Sequence, residues 1–289
     1  MKFFKTILLF SFFILIFTCN RQQNSSVKVN QDSVISTPAL DNKLDKNIST
    51  IFQDRKNNYW FGSKKGVYKY DGKNLTLFTK KDGLCSHSIL GIQEDKFGNI
   101  YFDTQDCISK FDGTNFTTLP VIENNSTQNH WKLESDDLWF RMGWDRKGPL
   151  RFDGKNLYQL EFPKPIQVDS FYAEFPNSTY NPFGIYWMYK DVNRNMWFGT
   201  ASLGACRFDG ESISWIYEKQ LSRTPSGGDF GIRSIIEDKE GYFWICNTRY
   251  RFEMQPTFTE KNGTNYIDYK RENGIGKSGN KKPKDYLND

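Results

Sequence analysis

Alanine is almost missing from this sequence, which contains only Ala39, Ala173, Ala201 and Ala205. Because alanine is the strongest helix former, its scarcity argues against a helical protein. Phe, Tyr and Trp make up 17% of the chain, and glycine and asparagine are frequent, a composition typical of strands and tight turns. We therefore predict an almost entirely β protein.

Sequence signatures of catalysis are also missing. The chain has two histidines, and it contains no nucleophile elbow, phosphate-binding glycine loop or His-Glu zinc motif. Acidic residues that pair across repeats would leave no such signature, so a carboxylate-pair hydrolase stays open. We expect a binding protein that is not an enzyme and needs no cofactor or metal, and we assign no catalytic residue.

A strong excess of charge is absent from the central part of the chain. The formal net charge is +5, but Lys2 and Lys5 lie in an N-terminal segment that looks removable. Six basic residues against three acidic ones between Lys270 and Asp289 account for the rest. Because the intervening part is near neutral, we predict no nucleic-acid partner, and we expect residues 276–289 to form a basic disordered tail.

The only long apolar run, Ile7 to Phe17, is too short to cross a bilayer and follows two lysines, as in a secretory signal peptide. We predict a signal peptide at 1–18. The ending before Cys19 resembles a bacterial lipoprotein signal, so we expect Cys19 to be lipidated; an ordinary cleaved signal is the alternative. The polar residues that follow predict a flexible tether over 19–45. Either way, the mature protein leaves the cytoplasm.

From Ile51 onward the chain repeats an aromatic step that is followed by an Asp-Gly turn. The Asp residues of these turns lie at 71, 112, 153 and 209, so two intervals are 41 residues and the third is lengthened by an insertion from Glu161 to about Gly184. A period near 41 residues is that of a four-stranded propeller blade. Together with a partial fifth copy, the repeat predicts a β-propeller of about five four-stranded blades. The predicted blades span 46–82, 83–121, 122–165, 184–222 and 229–275.

The individual repeats share further positions. An Asp lies six residues before the aromatic in four copies (Asp54, Asp95, Asp191 and Asp238), and a basic residue lies two before each Asp-Gly turn (Lys69, Lys110, Arg151 and Arg207). Residues that recur once per repeat are better explained as turn formers and structural hydrogen bonds or ion pairs than as a catalytic ring. The repeated Trp and Phe side chains are expected to pack between blades.

The combination of a hydrophobic strand, Glu-Asp-x-x-Gly, Trp-Phe-Gly-Thr and Arg-Phe-Asp-Gly, read from Ile185 to Gly210 and Ile232 to Thr248, resembles the two-component regulator propeller repeat. The resemblance implies the periplasmic sensor part of hybrid histidine kinases and an oligosaccharide-like ligand. It departs from the family in the third copy, which lacks the Asp before Trp139, and in the fifth, which lacks the Asp-Gly turn. No kinase or transmembrane segment follows Ile275, so the family does not supply a signal output.

Function on a propeller is expected where the copies differ, in the loops of one face. The most divergent pieces are Arg141 to Lys147 and the insertion, which carries Tyr172. A Trp flanked by arginines can stack on a sugar ring while the charged groups bind hydroxyls or an acidic substituent. We therefore predict a ligand site formed by Trp144, Arg146, Arg141, Asp145 and Tyr172. The alternative is that Trp144 only packs under the insertion.

Two cysteines and two histidines map to the same face of the second blade: Cys85, His87, Cys107 and His130. They lack the short paired spacing of zinc sites, so we expect no metal there. A Cys85–Cys107 disulfide suits an oxidising compartment, and two unpaired thiols are the alternative. Cys206 and Cys246 fall inside strands and are expected to be packing residues.

These observations support three hypotheses. The first is a lipid-anchored protein of the cell envelope of a Gram-negative-type bacterium, in the periplasm or on the outer membrane, that binds an oligosaccharide or an envelope protein. The second is a glycan-active lyase or hydrolase on the same propeller face. The third is a structural platform for a separate membrane sensor. Binding without turnover, turnover, or co-purification of a sensor would separate them.

Overall fold

The computed structural model describes residues 39–41, 43–123, 129–179, 181–217 and 231–247, together with the backbone of 251–254, 257–261 and 264–268. All of these residues lie in one compact unit that spans 36–289. The predicted signal peptide, Cys19, most of the predicted tether and the basic tail fall outside the described residues. Within the described part of the chain, no helix is long and apolar enough to cross a membrane.

The described strands form five sheets in chain order. The first contains β1 (Ala39–Leu40), β2 (Ile48–Gln53), β3 (Tyr59–Ser63), β4 (Val67–Tyr70) and β5 (Leu75–Phe78). The second contains β6 (Ile89–Glu94), β7 (Ile100–Thr104), β8 (Ile108–Phe111) and β9 (Phe116–Thr118). The third contains β10 (Val121–Ile122), β11 (Leu138–Phe140), β12 (Leu150–Phe152) and β13 (Leu157–Gln159).

The fourth sheet begins with β14 (Ile185–Lys190), β15 (Met196–Thr200), β16 (Ala205–Phe208) and β17 (Ile213–Ile216). The fifth contains β18 (Ser234–Glu237), β19 (Phe243–Cys246) and β20 (Arg251–Met254). The hairpin of β21 (Thr257–Lys261) and β22 (Thr264–Asp268) joins the fourth sheet, where β22 runs parallel to β17. The predicted all-β fold of mostly four-stranded antiparallel sheets is therefore confirmed, with one helix, α1 (Gln167–Glu174), inside the insertion.

The repeated Asp that precedes each aromatic forms the turn between the first two strands of a sheet. Asp54 Oδ1 accepts the backbone N–H groups of Lys56 and Asn58, and its Oδ2 accepts the indole N–H of Trp60 at 2.8 Å. Burial alone would raise the pKa of Asp54, but these donors outweigh it and hold the pKa below its ordinary value. The same carboxylate thus closes the turn and fixes the aromatic that packs between sheets.

The Asp-Gly turns are hairpins between the last two strands of each copy, as the sequence predicts. Asp71 Oδ1 accepts the N–H groups of Lys73 and Asn74, and Gly72 has a φ of 94°. Residues that carry a side chain rarely adopt this left-handed backbone conformation, so glycine is favoured at this position.

Apolar clusters join consecutive sheets. Their members include Trp60 with Phe102 between the first and second sheets, Tyr101 with Phe140 between the second and third, Trp139 with Phe198 between the third and fourth, and Trp197 with Ile245 between the fourth and fifth. Among the described residues, no such cluster joins the fifth sheet to the first. Ile51 on the first sheet and Ile236 on the fifth are 64% and 49% exposed.

The third sheet differs from its neighbours because the described residues give it no inner strand, which is the first strand of each other meander (β2, β6, β14 and β18). Its first antiparallel strand, β11, carries Trp139 and aligns with the second strand of the other sheets. The preceding residues 129–133 are not a strand. Leu133 stands where the other copies have the turn-forming Asp, so the tight turn that would fold an inner strand back onto β11 has lost its carboxylate.

Candidate functional site

The predicted loop residues Arg141 and Trp144 contact each other at the end of β11. The guanidinium carbon of Arg141 lies 4.9 Å from the centre of the Trp144 ring. The Trp144 ring also meets Tyr186 edge-on with ring centres 5.0 Å apart, and the guanidinium carbon of Arg233 lies 3.8 Å from the centre of the Tyr186 ring. We call these four residues the aromatic–arginine stack. They come from the third, fourth and fifth sheets.

The Arg141 side chain is held by the inner strands on either side of it. Its Nη1 donates to the backbone oxygen of Tyr186 at 3.0 Å, and its Nη2 donates to that of Leu90 at 2.7 Å. These two oxygens belong to β14 and to β6, the inner strands of the fourth and second sheets. The guanidinium therefore spans the space in which the third sheet would have its own inner strand.

Asp103 fixes the backbone beneath this side chain. Its carboxylate accepts the N–H groups of Arg141 and Met142 at 3.0 and 2.9 Å and lies 4.0 Å from Arg141 Nε. Met142 has a φ of 45°, a left-handed conformation that is strained for a side chain with a Cβ and is held by this contact. Asp103 thus positions the loop that presents Trp144.

The charges of this group perturb one another. Burial raises the pKa of Asp103 to about 6, against the opposing effects of the Arg141 charge and the two N–H donors. Burial also lowers the pKa of Arg141; the Asp103 charge opposes that change, and the positive charge of Arg233 adds to it. Two guanidinium groups are therefore close enough to repel, and a single buried carboxylate contacts Arg141.

Asp103 and Arg141 both occupy the position at which the repeat has glycine in the first and fourth copies. A Cβ on Gly62 would lie 2.6 Å from the side chain of Ile89, and one on Gly199 would lie 2.7 Å from Ile232. The chain at the start of the next inner strand, or just before it, thus excludes side chains at that position. Since the described residues give the third sheet no inner strand, there is space beside Asp103. Two departures from glycine in adjacent copies were the sequence signal for this pair, and our sequence analysis missed Asp103, Tyr186 and Arg233.

A cavity of about 470 Å³ lies beside the stack, between the inner strands of the first, second and fourth sheets and strand β11. Asp103, Arg141 and Tyr186 line one part of it, and Gln93 and Lys190 line another. Gln93 Nε2 donates to the backbone oxygen of Trp139 at 2.6 Å. The stack is thus continuous with a space that could hold a ligand.

The other predicted site residues have different surroundings. Arg146 Nη1 contacts the Gln159 side chain and lies 3.6 Å from the Glu123 carboxylate. Asp145 is exposed. Tyr172 lies on α1, 42% exposed, with its ring edge-on to Phe171. The structure therefore brings Arg141 and Trp144 together, gives Arg146 and Tyr172 other contacts, and leaves Asp145 exposed.

The insertion supports the loop from its backbone side. Asn181 Nδ2 donates to the backbone oxygens of Trp144 and Arg146 at 3.1 and 2.8 Å. Both sequence interpretations of Trp144 have a structural counterpart, because its backbone is held by the insertion while its ring, only partly buried, joins the stack.

The structure joins Cys85 and Cys107 by a disulfide, which ties the loop that enters the second sheet to the loop after β7. The backbone oxygen of Gln105, in that second loop, would lie 2.7 Å from a Cβ on Gly143, so the loops at 105 and 143 are in close contact. His87 and His130 lie elsewhere: His87 Nε2 accepts the N–H of Lys80, and His130 stacks on Tyr158. Within the described residues, no group of His, Cys, Asp and Glu side chains could hold a metal ion.

Comparison with known proteins confirms the resemblance. Residues 42–65 match the model of the family described as two component regulator propeller. No curated protein matches the sequence. The match covers only the beginning of the first repeat, and the fold is supported by solved structures.

Three solved structures are similar to this chain with a TM-score of 0.51. The extracellular domains of BT4673 and BT3049 from B. thetaiotaomicron, named as hybrid two-component systems, are 20% and 16% identical over 80% and 75% of this chain. A streptogramin B lyase is 11% identical over 76% of this chain and 69% of its own. This chain spans only 29% and 28% of the two extracellular domains. At these identities the likeness shows a shared propeller-like fold.

Proposed function

We propose that this chain is an extracytoplasmic binding protein of the sensor-propeller type, lipid-anchored at Cys19, whose ligand site is the aromatic–arginine stack at the mouth of the cavity. The observation that carries the proposal is the geometry of Arg141, Trp144, Tyr186 and Arg233, which brings two rings and two guanidinium groups into contact beside the cavity that Arg141 and Tyr186 line. The resemblance to a sensor family and the extracellular domains among the structural neighbours support the same role.

An oligosaccharide with acidic substituents fits this chemistry best. Aromatic faces stack on the apolar face of a sugar ring, and guanidinium groups bind carboxylates with two parallel hydrogen bonds. Asp103 offsets part of the positive charge at Arg141, and Arg233 adds a second cation beside Tyr186. An envelope protein is the alternative partner, and the proposal requires neither a kinase nor catalysis by this chain.

The proposal also takes the five sheets as blades of one ring. Four apolar clusters already join consecutive sheets, and Ile51 and Ile236 leave apolar surface on the two sheets at the ends of the series. Burying these surfaces against each other would close the ring and protect the short strand edges.

Isothermal titration with neutral and uronic-acid-containing oligosaccharides tests the ligand site. We expect the best acidic ligand to lose at least about tenfold affinity in Trp144→Ala, which corresponds to one lost stacking contact of about 1.4 kcal/mol. Lys155→Ala, at an exposed hairpin turn, is the matched control and should bind normally. Unchanged affinity in Trp144→Ala would show that the site is elsewhere, and release of shortened products would favour the glycan-active enzyme.

The anchor is tested separately in the expressing bacterium. Cys19→Ser should abolish incorporation of labelled fatty acid and move the protein from the membrane fraction to the soluble fraction. Retention in the membrane without label would contradict lipidation at Cys19.

A further inference from the structure

The third sheet presents a free strand edge to the cavity. In the first, second and fourth sheets, an inner strand of six residues pairs with the aromatic-bearing strand. Among the described strands of the third sheet that partner is missing, and β11 is the last of them on the cavity side. Trp139 and Arg141 belong to this edge or its continuation, and both line the cavity.

The chain segment that would supply the missing strand lies on the other side of the sheet. The Trp131 ring packs 5.0 Å from the centre of Phe208, and its Nε1 donates to the backbone oxygen of Glu161 at 3.1 Å. His130 stacks on Tyr158 of β13, the strand farthest from the cavity among the three antiparallel strands. Residues 129–133 are therefore engaged at the outer part of the sheet and leave the inner position open.

A side chain from the second sheet occupies one hydrogen-bonding position of the missing strand. The backbone oxygen of Trp139, on the edge of β11 that faces the cavity, accepts the side-chain amide of Gln93. A backbone N–H of an added strand would take this place when the Gln93 amide rotates away. The Arg141 side chain donates to the backbone oxygens of Leu90 and Tyr186, which belong to the flanking inner strands and not to β11.

A buried donor beside the same edge has lost the acceptor that the other copies provide. The indole Nε1 of Trp139, a side chain only 3% exposed, has no hydrogen-bond partner among the described residues. The equivalent Nε1 atoms of Trp60 and Trp197 donate to Asp54 and Asp191 at 2.8 and 2.9 Å. A buried N–H without an acceptor costs about 1–3 kcal/mol, so a ligand that brings an acceptor to it gains that amount.

From these observations we propose that the cavity binds an extended peptide segment of a partner protein, which adds to the free edge of β11 as the inner strand of the third sheet. At roughly 3.3 Å per residue, the three residues of β11 offer about 10 Å of pairing edge. The mode is β-strand addition, in which backbone hydrogen bonds give affinity and alternate side chains give specificity.

The other sheets indicate which peptide fits. Each inner strand has one residue that pairs with the repeated aromatic of the next strand, and an Asp follows that residue two positions later. Examples are Phe52, followed by Asp54, and Tyr189, followed by Asp191. A peptide with an acidic residue at this spacing places its carboxylate where it can accept the Trp139 indole N–H. The partner is therefore a strand-forming segment with an acidic residue at its end, and this site adjoins the proposed oligosaccharide-binding stack, with which it shares Arg141.

A synthetic heptapeptide copied from the inner strand of the first sheet, Ile-Ser-Thr-Ile-Phe-Gln-Asp, is a direct probe. With the full chain we expect saturable binding in fluorescence anisotropy below about 1 mM, the weak limit of specific association. In a paired strand, every second backbone N–H faces the neighbouring strand and the others face away. N-methylation of the peptide N–H groups that face β11 should lower affinity at least about tenfold. Methylation of those that face away should lower it less than about twofold.

Two variants connect the binding to the proposed edge. Gln93→Leu removes the amide that occupies the Trp139 oxygen, so it should strengthen peptide binding severalfold. Replacing the last Asp of the peptide by Leu should weaken its binding to the wild-type protein about tenfold. The same replacement should not change binding to the Trp139→Phe variant, which lacks the indole N–H. An unchanged melting temperature of Trp139→Phe shows that this variant is folded. Lys155→Ala, at an exposed hairpin turn, is the control and should bind the peptide normally.

Three results would overturn the proposal. The first is a lack of binding by both this peptide and a displayed library of random heptapeptides. The second is equal sensitivity to N-methylation at every position. The third is a preference for the acidic residue that persists in Trp139→Phe.

Discussion

At the scale of single residues, Asp103 and Arg141 occupy positions at which other copies of the repeat have glycine, and they hold the aromatic–arginine stack to the strands around it. Asp103 is buried and has its pKa raised to about 6, whereas an unfolded Asp titrates near 3.8. Between these values the folded state binds more protons than the unfolded state, so the stability contributed by Asp103 is largest at low pH and falls as the pH rises through about 6. A shift of about two units corresponds to about 3 kcal/mol at most.

We therefore expect the free energy of unfolding of the wild type to decrease relative to that of Asp103→Asn between pH 4.5 and pH 7.5. Urea unfolding of both proteins at the two pH values measures the difference. Asn keeps only one of the two oxygens that accept the loop N–H groups, so the variant also loses a hydrogen bond at every pH, and only the difference in pH dependence reports the charge. Parallel pH profiles for the two proteins would show that the Asp103 carboxyl does not titrate with a raised pKa.

A second residue-scale prediction concerns the repeated turn carboxylates. Asp191 is buried and accepts the Asn195 backbone and the Trp197 indole, so Asp191→Ala leaves buried donors unpaired and should cost about 2–4 kcal/mol. Asp71 holds two backbone N–H groups of an exposed hairpin, and Asp71→Ala should cost about 1 kcal/mol or less. Thermal or urea unfolding compares the two, and equal costs would contradict the role assigned to the indole contact.

At the scale of elements, the sequence predicts those strands whose turns carry repeated residues. The Asp and Asp-Gly signals locate the hairpins of the first, second and fourth sheets because each turn is stabilised by its own side chain. In the third sheet the sequence located the Asp-Gly hairpin but not the absence of an inner strand among the described residues. Leu133 removes the turn before β11, and the preceding Trp131 packs on the distant Phe208. Helix α1 and the β21–β22 hairpin likewise depend on long-range contacts. The site followed the same rule: Trp144 and Arg141 were evident as unusual loop residues, whereas Asp103, Tyr186 and Arg233 join them only through folding.

The disulfide is an element-scale restraint that can be tested on its own. Cys85 and Cys107 close a loop with a sequence separation of 22 residues, which in the chain-entropy view stabilises the fold by about 3 kcal/mol. We expect the double variant Cys85→Ser, Cys107→Ser to lower the melting temperature by several degrees, and reductant to lower that of the wild type similarly but to leave the variant unchanged. A reductant effect that persists in the variant would assign it to another cysteine.

At the scale of the whole molecule, contact between the first and fifth sheets decides whether the five sheets form a closed ring. If the ring closes as proposed, Ile51 is buried in solution and Ile51→Asp should cost more than about 2 kcal/mol. Val192, 75% exposed at a turn, provides the control: Val192→Asp should change the free energy of unfolding by less than about 0.5 kcal/mol. Equal, small effects in urea unfolding would indicate an open series of sheets.

The route of the chain after β20 has a mechanical consequence. It leaves the fourth sheet, forms the fifth, and returns to pair β22 with β17 of the fourth. The strand before the fifth sheet, β17, and the strand after it, β22, therefore both belong to the fourth sheet. A pulling force applied to the C-terminal side would act on the β17–β22 pairing before it reached the fifth sheet. This short parallel pairing would therefore determine the order in which the C-terminal part of the protein unfolds.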